Sequence, residues 1–302
     1  MTPYNRRVDV IGPGLGALCA LASGMTWAVI NLMVRTLTPP FNSVSINALR
    51  TTVAGGLLVA WVIVTGGAAR LTSVSAGDFF LLALSIVLAS SIGDTVFFES
   101  TPRIGLAPAL TISMTYPLMA TIFATVALGE PVTLRMLVGS VLTLGGLVMI
   151  VTARGGATHG GPGWWLGFGC AVLASLAWAI SAILLKAPLR EMDAIVAQAL
   201  RMPIAGLLLF ATPWARGAFG TAVRGGRSML WRVAVLCLLT VFSATLFTAG
   251  LKYAGVAMGT VLSSTAPMWA VPLGYVGLGE RLPALALVGL VVTVIGIVVL
   301  QL

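Results

Sequence analysis

Charge is what this sequence has least of: Asp, Glu, Lys and Arg together make up 8% of its 302 residues. A soluble domain carries about 25% charged residues and needs them to cover its surface. With 59% of residues hydrophobic and a mean hydropathy of +1.06, the chain must count lipid as part of its solvent. Metal-binding side chains are scarce as well, with one histidine and three cysteines. His159 stands in a glycine-rich linker with no second ligand close by, and Cys19, Cys170 and Cys237 lie singly in apolar runs without CxxC spacing. Neither a zinc site nor a disulfide framework is expected, and no cofactor. Eight acids and one histidine fall short of the acid, base or metal clusters that an intramembrane enzyme needs. No phosphate-cradling glycine loop is present, which excludes ATP-driven transport by this chain alone. A formal charge of +9 raises the question of nucleic acid. Its densest group, Arg216, Arg224, Arg227 and Arg232, lacks the kind of aromatic interleaving a base-stacking surface needs. The scattered Lys and Arg read as loop anchors at a membrane surface.

Long apolar runs are what the chain has in plenty. A bilayer core about 30 Å thick takes roughly 20 apolar residues per helix. Cutting at charges, Gly and Pro gives ten candidate spans, near 13–34, 44–64, 78–98, 104–127, 132–151, 164–185, 194–213, 230–250, 257–279 and 282–301. The stretch around 214–229 has room for a surface helix and no more. Near the N-terminus, Arg6, Arg7 and the small-x-small triplet Ala20-Leu21-Ala22 resemble a signal-peptidase site. The internal repeat argues for an uncleaved first span instead, because residues on both sides of Ala22 have counterparts deep in the chain.

A shift of 151 places Gly16, Cys19, Trp27 and Arg50 on Gly167, Cys170, Trp178 and Arg201. A shift of 150 then places Ser113, Thr115, Pro117 and Leu128-Gly129-Glu130 on Ser263, Thr265, Pro267 and Leu278-Gly279-Glu280. Leu and Ala coincide by composition alone, but Trp, Arg, Pro and Gly-Glu in one order and register do not. The expected units are residues 1–154 and 155–302. Five spans per unit is odd, so the second copy must enter the membrane from the opposite side, an inverted-topology repeat with a site near the midplane.

Two five-helix halves, each with a proline followed by Leu-Gly-Glu and a second-helix Ala-Leu-Arg (48–50 and 199–201), resemble the drug/metabolite transporter superfamily of EamA type. The resemblance covers nearly the whole chain. It implies an all-α ten-helix membrane protein with cytoplasmic termini in an inner (plasma) membrane, acting as an exporter of amino acids or similar metabolites. The expected partners are a small-molecule substrate and the bilayer, with no nucleic acid, and the chain a monomer or homodimer. Basic residues divide seven against eight between the two sides, so N-inside rests on the resemblance.

Asp94 is the first candidate residue. A carboxylate in the third span costs energy unless paired, and the second half carries Ala244 in its place, so the scaffold does not require it. It reads as a substrate-amine or proton site, or else as an interfacial residue beside Glu99 and Arg103. Arg50 and Arg201, kept in both halves, read as structural or gating residues, with an anion clamp as the alternative. Trp27 and Trp178 fall mid-span with polar neighbours on their own faces, Ser23 and Asn31 for the first and Ser175 and Ser181 for the second, as on the wall of a wet cavity. Thr111, Thr115 and Tyr116 before Pro117, with Ser263 and Ser264 before Pro267, form polar stretches at helix-bending prolines and complete the expected substrate wall. Paired glycines 139/146 and 289/296 suit close helix packing, a subunit contact included.

Overall fold

The computed structural model describes residues 12–104, 109, 112–129, 132–153, 163–266, 268–269 and 283–301. The described residues form helices and short turns, with no strand among them. The principal helices are α1 (Pro13–Leu37), α2 (Ser43–Val64), α3 (Ala76–Ile104), α4 (Tyr116–Leu128) and α5 (Leu134–Ala153). They are followed by α6 (Trp164–Lys186), α7 (Ala194–Phe210), α8 (Gly226–Ala254), α9 (Val256–Ser263) and α10 (Ala284–Gln301). Five of these (α1, α2, α3, α6 and α8) are long and apolar enough to cross a bilayer, and α7 with the helix after it makes a sixth if that pair is one bent span. The pair bends by 95°, and the following helix, Ala218–Arg224, buries Ala218 and Ala222 on the expected loop.

Local chemistry sets the helix starts. Asn42 accepts from Ser45 N at 2.7 Å while Ser45 Oγ accepts from Asn42 N at 3.0 Å, a closed capping box for α2. Asp193, its counterpart at a shift of 151, caps α7 through Val196 N at 2.9 Å. Pro13 opens α1, where its missing N–H costs nothing. α3 runs on to Ile104, past the expected end near 98, and its middle, Val87–Asp94, is wound as a π-helix. Pro117 is not inside a helix. It sits in the first turn of α4, after a break at Met114–Thr115, and α9 likewise ends at Ser263 before a turn. Glu130, Glu280, His159, Thr111 and Pro267 lie outside the described residues.

Helix pairing follows the repeat. The most extensive contacts are α5 with α10, α3 with α6, α1 with α8, and α2 with α7, and α4 also meets α9. Adding or subtracting five turns each of these pairs into itself or into another of the set. The closest approaches obey the same exchange. A Cβ on Gly55 would lie 2.7 Å from Pro203 N, and one on Gly206 would lie 2.9 Å from Thr52 Cα. Gly16 abuts Tyr253 and Ala254, as Gly167 abuts Arg103 and Ile104. Gly146 meets Gly289 and Thr293, as Gly296 meets Gly139 and Thr143. The glycine pairs expected to pack helices closely therefore join α5 to α10 within one chain. Outward, Leu18, Val64, Phe80, Val126 and Leu207 are exposed, a surface that only lipid solvates well. Trp165, Trp214 and Trp231 are exposed near helix ends, where an indole suits the headgroup layer.

Candidate functional site

A cavity of roughly 140 Å³ lies between the halves, walled by α1–α4 and α6–α9. α5 and α10 give it no residue among those described. The π-turn of α3 aligns Ile86, Ser90 and Asp94 along the wall, a re-aiming of side chains typical of such turns. Asp94 is buried and ion-paired to the guanidinium of Arg50. It also accepts from Ser90 Oγ at 3.1 Å and from Trp178 Nε1 at 3.0 Å, so both its oxygens are engaged. Arg50 is itself steered by Asn47 Oδ1 at 2.9 Å and lies 5.5 Å from the Trp27 ring and 5.6 Å from that of Phe98. Two charges thus occupy the wall as a neutral, aromatic-packed unit, the form in which a buried ion is tolerated. Glu99 and Arg103, the alternative company for Asp94, pair with each other at 2.6 Å.

Arg201 is the second half's copy of Arg50 and is just as buried, 2% exposed. Its setting is different: Nε donates to Ser85 Oγ at 3.0 Å and Nη2 to Ser181 Oγ at 3.4 Å. No carboxylate is within ion-pair distance of it among the described residues. Trp27 and Trp178 meet edge to face with centroids 6.4 Å apart, and Tyr116 meets Trp178 the same way at 5.8 Å. The Tyr116 hydroxyl donates to the Thr260 carbonyl at 3.0 Å, tying α4 to α9.

Of the residues expected at the site, Trp27, Asp94, Tyr116, Trp178, Ser181, Ser263 and Ser264 line the cavity together with Arg50 and Arg201. Asn31 does not; its amide donates to the Trp27 carbonyl at 2.8 Å. Thr115 is exposed and bonded to the Ile112 carbonyl at 2.8 Å and the Ser175 hydroxyl at 2.9 Å. Ser23, expected beside Trp27, lines the cavity too, as do Gln198, Thr240 and Ser243, which had not been singled out. Gln198 had a signal: the shift of 151 sets it on Asn47, an amide kept in both halves. Its Nε2 donates to the Ala244 carbonyl at 3.0 Å, while its Oε1 and the Ser263 Oγ are buried without a partner. Among the described residues no cluster of His, Cys, Asp or Glu is placed to hold a metal, and the three cysteines are free thiols.

The geometry resembles known proteins at several levels. An uncharacterised protein of Pseudomonas aeruginosa is 30% identical over 139 residues, which is 46% of this chain and 46% of that protein. The match thus spans about half the length of that relative. A protein of Archaeoglobus fulgidus described as an uncharacterised transporter is 25% identical over 222 residues, covering 74% of this chain and 76% of its own. One solved crystal structure superposes with a TM-score of 0.76 at 16% identity, over 95% of this chain and 96% of that one, a likeness of fold. The profile of the EamA-like transporter family matches twice, at residues 14–152 and again at 165–302. The two matches cover nearly all of the chain and fall on its two repeats, and the chain belongs to the EamA-like transporter family.

Proposed function

We propose that this multi-pass membrane transporter exports amino acids or similar small metabolites by alternating access, its cavity opening first to one side and then to the other. The units that move are residues 1–154 and 155–302, two inverted five-helix halves that together make ten membrane crossings, with the N-terminus inside the plasma membrane. The observation that carries this reading is the composition of the cavity wall, to which both halves contribute facing residues: Trp27 and Arg50 from one, Trp178 and Arg201 from the other. A site at the seam between repeats changes its exposure when the repeats rock against each other. Coupling would run through Asp94, the one acid among the described residues of that wall: a proton taken there would release Arg50 and let the seam rearrange.

The test is counterflow in proteoliposomes with a panel of radiolabelled amino acids. At least one should exchange with saturation, and an imposed pH gradient should drive net uptake that Asp94→Asn abolishes while exchange at equal pH persists in part. Leakage without saturation would overturn alternating access. Uptake that ignores the pH gradient would favour the second reading, a facilitator or drug exporter without proton coupling. That reading draws support from the three donors that already hold Asp94.

A further inference from the structure

On the described cavity wall the duplicated scaffold holds an acid from only one of its halves, and we propose that a substrate supplies the other. In this inference the second half of the cavity is a receptor for a small molecule with a carboxylate on an apolar body. It rests on the transporter reading and specifies what that site takes.

Three donors hold Asp94 in the first half: Arg50, the Ser90 hydroxyl and the Trp178 indole N–H. The repeat carries Arg50 to Arg201, Ser90 to Thr240 and Trp178 to Trp27, while Asp94 becomes Ala244. All four counterparts line the same cavity. The reciprocal contacts of Gly55 with Pro203 and of Gly206 with Thr52 show that α2 and α7, which carry the two arginines, are exchanged by a near two-fold relation. The second half therefore keeps the guanidinium and indole donors of a carboxylate site and replaces the carboxylate with a methyl group, while the Thr240 hydroxyl turns back to the Leu236 carbonyl at 2.8 Å.

The side chains behave accordingly. Arg201 has five N–H groups and places two of them on Ser85 and Ser181, leaving three with no acceptor among the described residues. The Trp27 indole N–H likewise has no hydrogen-bond partner among them. Asp94 already accepts from Arg50, Ser90 and Trp178 and lies beyond ion-pair distance of Arg201. Arg50 and Asp94 cancel, so Arg201 leaves the described wall with one net positive charge. A buried, uncompensated guanidinium is costly, and a planar carboxylate meeting its fork relieves that cost in a way an ammonium group cannot. Tyr116, Trp178, Met202 and Phe247 supply an apolar wall for the rest of the molecule. Gln198 Oε1 and Ser263 Oγ, buried and unbonded, can meet a polar substituent on it.

Binding to the purified full chain in lipid nanodiscs, read by tryptophan fluorescence and thermal shift, tests this with three matched probes. 3-Phenylpropionate should bind at least about ten-fold more tightly than 3-phenylpropanamide, the scale of one charge-assisted hydrogen bond, and 3-phenylpropylamine more weakly still. Ala244→Asp places the acid on the protein, so it should lose the preference for 3-phenylpropionate without a fall in melting temperature. Arg201→Gln should lose it too; if that variant fails to fold, Ala244→Asp decides. Equal binding of propionate and propanamide, tighter binding of the amine, or an Ala244→Asp variant that binds like wild type would overturn the proposal. Saturable transport of some other solute alongside that result would leave the transporter reading intact. Selective carboxylate binding with no transport of any probe would uphold the receptor and remove alternating access.

Discussion

Arg50 and Asp94 are buried in a wall surrounded by lipid, and their value to the fold lies in being there together. Removing one partner of such a pair leaves an uncompensated charge and costs about 3–5 kcal/mol, whereas replacing both with apolar groups is often neutral. Asp94→Ala should therefore lower the melting temperature steeply, and Arg50→Met with Asp94→Ala should recover most of the loss in the same nanodisc. Equal destabilisation by the single and double changes would mean that the two side chains do not support each other. The sequence marked both residues as out of place in a membrane but could not join them, because they stand 44 positions apart and the π-turn that aims Asp94 leaves no pattern in composition. Arg201 was legible only as a copy of Arg50; that one copy keeps its acid and the other does not became informative once both faced one cavity.

Helix packing turns on where small residues fall. Gly145 and Gly146 are neighbours in α5 with opposite surroundings: a Cβ on Gly145 meets nothing within 4 Å, while one on Gly146 would strike the Gly289 carbonyl and the Thr293 backbone of α10. Gly145→Ala should be neutral or slightly stabilising, since alanine is the better helix former by up to about 1 kcal/mol. Gly146→Ala should destabilise by roughly 1–3 kcal/mol through overpacking, measured as loss of melting temperature. Similar values for the two would contradict the α5–α10 contact. The seven-residue spacing of 139/146 and 289/296 announced such a contact in the sequence but not its partner, and it turned out to be internal to the chain. Pro117 misled in the other direction. A proline in an apolar run reads as a kink, yet Pro117 opens a new helix because the chain breaks just before it and its missing N–H is harmless there.

Over the whole molecule, the two ends of the bundle are closed by different contacts between the halves. At the end that carries Gly16 and Tyr253, Arg70 and Asp193 pair at 3.0 Å. At the other, the Asn42 amide donates to the Trp214 carbonyl at 3.0 Å and Arg232 to the Thr36 carbonyl at 2.7 Å. The Arg70–Asp193 pair is exposed, so it adds about 0–1 kcal/mol to stability, but a bias of that size shifts a two-state seam several-fold. In the proposed orientation, with the N-terminus inside, Arg70→Ala should speed labelling of a cysteine placed at Ser181 by a membrane-impermeant maleimide in inverted vesicles and slow it in right-side-out ones. Unchanged rates in both would remove this pair from gating. The duplication itself was readable from paired Trp, Arg and Gly, because a shift register survives in the sequence. The cavity was only half readable, since Thr240 and Ser243 look like the many hydroxyls that bond back to their own helices.

α5 and α10 meet backbone to backbone and give the described cavity wall nothing. If the other helices swing during a cycle, this pair is the natural pivot, a spine that stays put while the jaws turn about it. A rigid clamp chemically fixed across these two helices should therefore leave the machine running, while the same clamp across α2 and α7 should stall it.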